Sequence, residues 1–195
     1  MKMTAVILCG GESRRMGTDK AELMIGGKTI LRRLTENLEP LGDLWLSVRS
    51  ETDYPVSPLP KVADRFQGCG PMGGLDAALS VCGGDLLFVT AVDLPFVDAV
   101  LAEELAERLA KEPETDALLV EDASGRQQFL LGLYRKRVHP RLLEHLREGG
   151  KDALRMRGFL SEIRVRFVPA RELTGGAHKT RSCNTLEEYL ELAKL

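Results

Sequence analysis

A chain of 195 residues with 44% apolar and 29% charged residues suits one globular domain that buries about 70% of its unfolded surface. The net charge of −2 argues against general nucleic-acid binding, and no apolar run approaches the roughly 18–20 residues of a membrane span. With no basic-then-apolar leader before the first strand, the chain is expected in the cytoplasm. Its four cysteines (Cys9, Cys69, Cys82, Cys183) are then expected as buried free thiols rather than disulfides or zinc ligands.

Thr4-Ala5-Val6-Ile7-Leu8 is a short, β-branched apolar run and reads as a buried strand. The chain then turns through Gly10 and Gly11, and Arg14, Arg15 and Lys20 follow closely. Bare backbone N–H groups beside several cations suit a chain of phosphates, whose dense charge and oxygens only accept hydrogen bonds. Residues 29–38 keep helical spacing through Ile30, Leu31, Leu34 and Leu38, and Pro40 with Gly42 closes that helix. Gly27-Lys28-Thr29 resembles the end of a P-loop. Glu22 stands where that motif needs Gly, however, and no strand feeds it directly, so it is not a Walker motif.

Residues 43–48 read as a second strand, and 61–63 as a short apolar piece leading to Asp64. In an open parallel sheet, ligands sit at the carboxyl ends of strands, which makes Ser47 and Asp64 informative positions. Gly68-Cys69-Gly70-Pro71-Met72-Gly73-Gly74 contains a G-x-G-x-x-G by count. As a dinucleotide fingerprint it is weak, because residues 65–67 separate it from the strand and Pro71 sits inside it. Pro71 instead suits the first turn of a helix that buries Leu75, Ala78, Leu79 and Cys82. Residues 85–92 are the most apolar run and read as the central strand, covered on both faces and ending at Asp93. A carboxylate there is costly unless solvated, paired or metal-bound, and Mg²⁺ needs only one or two carboxylates from protein. Asp98 caps a helix over 99–111 with a Leu101, Leu105, Leu109 stripe.

Beyond it, 116–120 and 129–134 look like paired strands around Ser124-Gly125. An amphipathic helix over 138–146 breaks at Gly149-Gly150-Lys151-Asp152 and a shorter one follows over 153–160. Residues 163–168 alternate apolar with Arg, as in a strand with one wet face, and 171–181 read as a mobile loop. Thr185 and Glu188 are spaced as a capping box for the last helix. His139, His145 and His178 show no metal or nucleophile spacing and read as surface or packing residues. Residues 1–134 carry 13 Lys and Arg against 21 Asp and Glu, whereas 135–181 carry 13 against 5. A cationic C-terminal third facing an acidic body suits an anionic small substrate or an acidic protein partner.

Gly10-Gly11-x-Ser13-x-Arg15-Met16-Gly17-x-Asp19-Lys20 resembles the signature loop of the molybdenum cofactor guanylyltransferases. Cys9 stands where members usually have Ala. The resemblance implies an α/β Rossmann-like three-layer sandwich, with a mostly parallel central sheet and helices on both faces. It also implies a single nucleotidyltransferase domain, with residues 1–100 as the nucleotide half and 101–195 as the acceptor half. The expected reaction moves GMP from GTP to molybdenum-loaded molybdopterin with Mg²⁺. The expected partners are GTP, that cofactor, and cofactor-handling proteins or apo-molybdoenzymes, without nucleic acid or membrane. Carried over by position, Leu8, Cys9, Gly10 and Gly11 lie at the guanosine, and Arg15 and Lys20 at the triphosphate. Ser47 (Asn in the family) and Asp64 then contact the nucleotide, and Asp93 holds the metal. Lys20, Arg15 and Asp93 are the expected catalytic residues. Gly70-Pro71-Met72-Gly73-Gly74 resembles the wall of the base pocket, and 127–134 a segment near the second substrate. Ser182 and Leu186 depart from the family's Asn-x-Asn-Thr-Pro, while Asn184 and Thr185 keep it. The acceptor is expected over Arg155, Lys179 and Arg181. The alternatives are a CTP-using cytidylyltransferase and a non-catalytic guanine-nucleotide adaptor.

Overall fold

The computed structural model describes residues 2–10, 19–148 and 155–194. Arg15, Gly11 and the break at 149–152 lie outside them.

Strand β1 (Met3–Leu8) alternates its side chains between two cores, as a period of two requires. Ala5 and Ile7 enter one apolar cluster, whereas Val6 and Leu8 enter the other. The next strands are the short pair β2 (Met24–Ile25) and β3 (Lys28–Thr29), which form a separate hairpin through Gly26-Gly27. The P-loop-like triplet is therefore half of a hairpin.

Helix α1 (Ile30–Leu38) starts where the Thr29 side chain accepts from the Arg32 amide at 3.2 Å. Then come β4 (Leu44–Val48), β5 (Lys61–Ala63), α2 (Pro71–Val81) and β6 (Leu86–Ala91). Asp98 caps α3 (Ala99–Ala110), accepting from the Leu101 amide at 3.0 Å. The second half adds β7 (Ala117–Glu121), β8 (Gln127–Arg135), α4 (His139–Glu148), α5 (Met156–Leu160) and β9 (Val165–Pro169). Two short helices close the chain, α6 (Gly176–Lys179) and α7 (Leu186–Leu192), the latter with both halves of the Thr185–Glu188 capping box formed.

The seven-stranded sheet runs β5-β4-β1-β6-β8-β7-β9, with β6 at its centre. Only β8 runs against its neighbours, so the sheet is mostly parallel. Residues of α1 and α3 pack in the cluster on one face, and those of α2, α4 and α5 on the other. This is the expected three-layer α/β sandwich. Phe88 is fully buried in the first cluster, where truncation to Ala would cost about 3–5 kcal/mol. Gly132 in β8 has φ 145°, and a Cβ there would lie 2.3 Å from the Leu118 carbonyl. The neighbouring register shift between Leu119 and Val120 fits one strand passing so close to another. The Gly-Leu-Tyr segment thus has a backbone reason for its glycine.

Two expectations are corrected. Residues 171–181, read as a mobile loop, contain a 3-10 turn and α6. That segment is tied to α3 by Lys179 on Asp98 at 2.8 Å. Several cations of the C-terminal third are already paired within the chain. Arg137 meets Asp116 at 2.7 Å, Arg141 meets Glu162 at 2.8 Å, and Arg164 and Arg166 pair with Glu114 and Glu112. Arg135 donates to the Thr115 and Leu109 carbonyls at 2.8 and 3.0 Å. Its basic excess therefore stitches the second half to the acidic segment before β7.

Cys9, Cys82 and Cys183 are buried free thiols, but Cys69 is only half-buried. Burial, with the Asp19 and Asp53 carboxylates adding to it, pushes the Cys9 thiol up to about 12. At pH 8 an alkylating reagent is expected to label Cys69 in the native protein and the other three only after unfolding. Native-state labelling of Cys9, read by mass spectrometry, would contradict this packing.

Candidate functional site

The strand order places the turning point of the fold between β1 and β6, where the chain leaves one side of β1 and returns on the other. In parallel sheets a crevice opens at such a point, beyond the carboxyl ends of the strands. Leu8 pairs with Ala91 there, so Cys9-Gly10 and Asp93 emerge side by side.

Three chain segments meet at this end. Asp19 accepts from the Ala21 amide at 3.0 Å and so begins the 3-10 turn Lys20–Glu22. The turn directs Lys20 Nζ to Asn184 Oδ1 at 2.8 Å and to within 3.8 Å of Asp93 Oδ2. The Cys183 amide donates to the Asp93 carbonyl at 2.8 Å, which pins the segment before α7 over the end of β6. Lys20 and Asp93 therefore converge, as expected of groups sharing one triphosphate and its cation. Asn184, 164 residues from Lys20, supplies the fixed acceptor that orients the ammonium.

Burial pushes the Asp93 carboxyl above its ordinary value, and the Lys20 ammonium opposes that shift, with Arg126 helping. A half-shielded carboxylate facing a cation at 3.8 Å has coordination capacity left over. No group of three or more His, Cys, Asp or Glu side chains among the described residues is arranged around a metal. One carboxylate fits Mg²⁺, which takes most of its ligands from phosphate and water, and does not fit an all-protein cage.

A second recess lies beside it, at the ends of β4 and β5. Three glycines line it, and one of them leaves no room for a Cβ. A Cβ on Gly10 would lie 3.8 Å from Asp64 Oδ2, and one on Gly74 would lie 3.5 Å from Ser47 Oγ. At Gly73 a Cβ would meet the Phe66 carbonyl at 2.8 Å, so the 64–66 turn needs glycine there. Asp64 Oδ1 is buried with no hydrogen-bond partner among the described residues. Burial raises the Asp64 carboxyl, opposed by a hydrogen bond from Ser47, while Asp76 adds to the rise and Arg49 counters it. An orphaned buried acceptor is costly unless a ligand donates to it. Ser47, fully buried, lines the same recess. The Leu8 carbonyl accepts from the Val92 amide at 3.1 Å and the Cys9 amide donates to the Ser47 carbonyl at 2.9 Å. Of the expected Leu8–Gly11 backbone cradle, the Leu8-Cys9 end is therefore engaged by the sheet, and Gly11 lies outside the described residues.

Beyond Asp93 a cleft of about 660 Å³ runs along β8, lined by Arg126, Gln128, Phe129, Met156 and Arg157 among others. The Arg157 guanidinium lies 5.7 Å from the centroid of the Phe129 ring. Asp122 builds the hairpin tip, accepting from the Ser124 and Arg126 amides at 2.9 and 3.0 Å. The cations beside this cleft are thus Arg126 and Arg157. Lys179 and Arg181 instead pair with Asp98 and Glu191, at 2.8 and 3.6 Å. Of the expected acceptor residues, Lys179 and Arg181 are thus held in ion pairs and do not line this cleft.

The three histidines are surface or packing residues. His139 Nε2 lies 2.9 Å from the fully buried Asp76, which Arg65 clamps through both nitrogens at 3.0 and 2.7 Å. This network locks the turn after Asp64 against α2 and α4. An Asp one turn after a helical glycine is the only local signal of it. His145 meets Glu162 at 2.8 Å, and His178 stacks on Phe96 with ring centroids 4.2 Å apart.

Comparison with known proteins matches this geometry to a family. A family profile described as MobA-like NTP transferase domain covers residues 5–164. A probable molybdenum cofactor guanylyltransferase of Carboxydothermus hydrogenoformans is 31% identical over 196 residues, spanning 99% of this chain and 96% of that one. One from Mycobacterium tuberculosis is 32% identical over 181 residues, spanning 88% and 87%. In fold, molybdopterin-guanine dinucleotide biosynthesis protein A from Archaeoglobus fulgidus superposes with a TM-score of 0.83 at 22% identity, over 98% and 97% of the two chains. A 2-C-methyl-D-erythritol 4-phosphate cytidylyltransferase from Thermus thermophilus superposes at 0.68 with 14% identity, over 100% and 98%. The profile takes in Lys20, Ser47, Asp64 and Asp93 together, and the chain belongs to the MobA-like NTP transferase family of nucleotidyltransferases.

Proposed function

We propose that the protein transfers the GMP unit of GTP to the phosphate of molybdenum-loaded molybdopterin. An acceptor phosphate oxygen attacks the α-phosphorus, the bond to the β-phosphate breaks, and pyrophosphate leaves. The observation that carries the reading is the approach of Lys20 to Asp93, 3.8 Å apart where β1 and β6 end. The names of the relatives support the guanylyl donor and the molybdopterin acceptor.

Transfer of this type asks the protein for alignment and charge neutralisation more than for covalent chemistry. Lys20, held by Asn184, neutralises the triphosphate as charge moves onto the leaving pyrophosphate, and Arg15 joins it from the signature loop. Asp93 holds Mg²⁺, which when bound screens the phosphate oxygens and stabilises the charge that builds on them. Of the expected Leu8–Gly11 cradle, Gly10 is the described residue left to face the guanosine, since the Leu8 carbonyl and the Cys9 amide are taken by the sheet. Asp64 accepts from base or ribose donors through its unpartnered oxygen. Arg126 and Arg157 draw the acceptor phosphate into the cleft, and the Phe129 face receives its ring. Residues 1–100 thus serve the nucleotide and 101–195 the acceptor. No helix among the described residues is long and apolar enough to cross a membrane. A cytoplasmic setting follows from the supply of GTP.

Thermal shift with GTP, CTP and UTP in Mg²⁺ tests the donor. GTP at 100 times its Kd should add about 2.7 kcal/mol, roughly 5–10 °C in a chain of this length. A larger shift with CTP would favour the cytidylyl reading. GTP binding without pyrophosphate release in the presence of acceptor would favour an adaptor.

A further inference from the structure

Tyr54 lies in the loop after β4, outside every motif that the signature loop supplies. Its φ is 51°, which no other non-glycine among the described residues shares in sign. Cβ sterics disfavour that conformation for a bulky residue, so the surroundings must hold it there. Its hydroxyl lies 2.8 Å from Asp19 Oδ2 and 3.3 Å from the Cys9 carbonyl oxygen. Those two residues flank the glycine- and arginine-bearing loop, Cys9 at its entry and Asp19 at its exit. The other Asp19 oxygen already caps the turn that carries Lys20, at 3.0 Å from the Ala21 amide.

We infer that Tyr54 is a positioning residue for transfer, its hydroxyl stapling the two ends of the phosphate-binding loop so that Lys20 stays in register with Asp93. The geometry runs without a gap from the Cys9 carbonyl through the phenol to Asp19, the capped turn, Lys20 Nζ and Asp93. Tying Cys9 and Asp19 through one half-buried group fixes the turn that carries Lys20 before the triphosphate binds, which lowers the entropy lost on binding. Burial, and after it the hydrogen bond to Asp19, push the phenol above its ordinary value, so it remains a proton donor at any working pH. The inference rests on the transferase reading of the site.

Tyr54→Phe removes only the hydroxyl and should leave the melting temperature within about 2 °C of the parent. In the substrate-free protein, hydrogen exchange at the Ala21 to Leu23 amides should quicken several-fold, because the capping carboxylate loses its anchor. In turnover, kcat/KM for GTP should fall roughly tenfold. The double variant with Asp19→Ala should lose no more than Asp19→Ala alone, since both break the same link. Unchanged exchange, a loss in kcat/KM below twofold, or losses that multiply in the double variant would each overturn the staple, while leaving parent transferase activity intact. A parent protein that releases no pyrophosphate from GTP and acceptor overturns the transferase reading instead, and the catalytic part of Tyr54 goes with it.

Discussion

Lys20→Ala is expected to lower kcat by roughly 10²-fold or more, with a smaller change in KM for GTP. The ammonium is oriented by Asn184 and aligned with Asp93, so it is fixed before substrate arrives and reorganises little as charge shifts towards pyrophosphate. A group of that kind acts more strongly on the transition state than on the bound nucleotide. The fold should tolerate the change. Asn184 keeps the capping contacts of its neighbours, and its own amide donates to Glu188 Oε2 at 2.6 Å. Steady-state assays of pyrophosphate release on the variant check this, and a near-normal rate would remove Lys20 from the chemistry.

Asp93→Asn is expected to act in opposite directions on activity and stability. Turnover should fall roughly 10²-fold, because an amide binds Mg²⁺ more weakly and adds no negative charge. Stability at neutral pH should rise by roughly 2–4 °C in Tm, the size of about 1 kcal/mol in a chain this long. Burial raises the Asp93 carboxyl in the folded state above its unfolded value, despite the Lys20 ammonium. The folded protein therefore holds the proton more tightly than the unfolded chain does. The stability this group lends is complete in acid, below the unfolded value of about 4, and is lost as pH rises through the folded pKa. An amide, neutral throughout, avoids that loss, so the advantage of the variant should shrink to nothing as pH falls below about 4. Lys20 retains Asn184 as partner, so no cation is stranded. Melting curves of parent and variant from pH 3 to 8 decide the matter. A variant less stable than the parent at pH 7 would mean that the carboxylate is a structural ion pair rather than a strained functional group.

Much of the architecture is legible along the chain, and always where the cause is local. Strands β1 and β6 declare themselves because a strand buried on both faces has no polar face to show, and each is a contiguous run. The caps at Asp98 and Thr185 lie within three residues of the amides they satisfy, so their spacing is visible in the order of residues. Asp64 and Asp93 follow from similar logic, as acids standing where strands end.

Pairings across the fold had no such signature. The hairpin of β2 and β3 is two residues per strand, too short for periodicity to register. The basic excess of residues 135–181 looked like a surface for anions, because a count of charges cannot know that Arg137, Arg141 and Lys179 already face acids. Asp76, Arg65 and His139 come from three separate elements, and Tyr54 reaches Asp19 across 35 residues.

The amino-acid sequence by itself determined the central strand, several helix starts and the acids at the strand tips, since those depend on side-chain periodicity and caps spanning a few residues. Tertiary structure alone decided which charges remain for substrate, which oxygen of Asp64 goes unpartnered, and that residues 20, 93 and 184 meet. Those outcomes depend on distances between segments far apart in the chain, and electrostatic and hydrogen-bond energies are set by distance and burial rather than by order along the backbone.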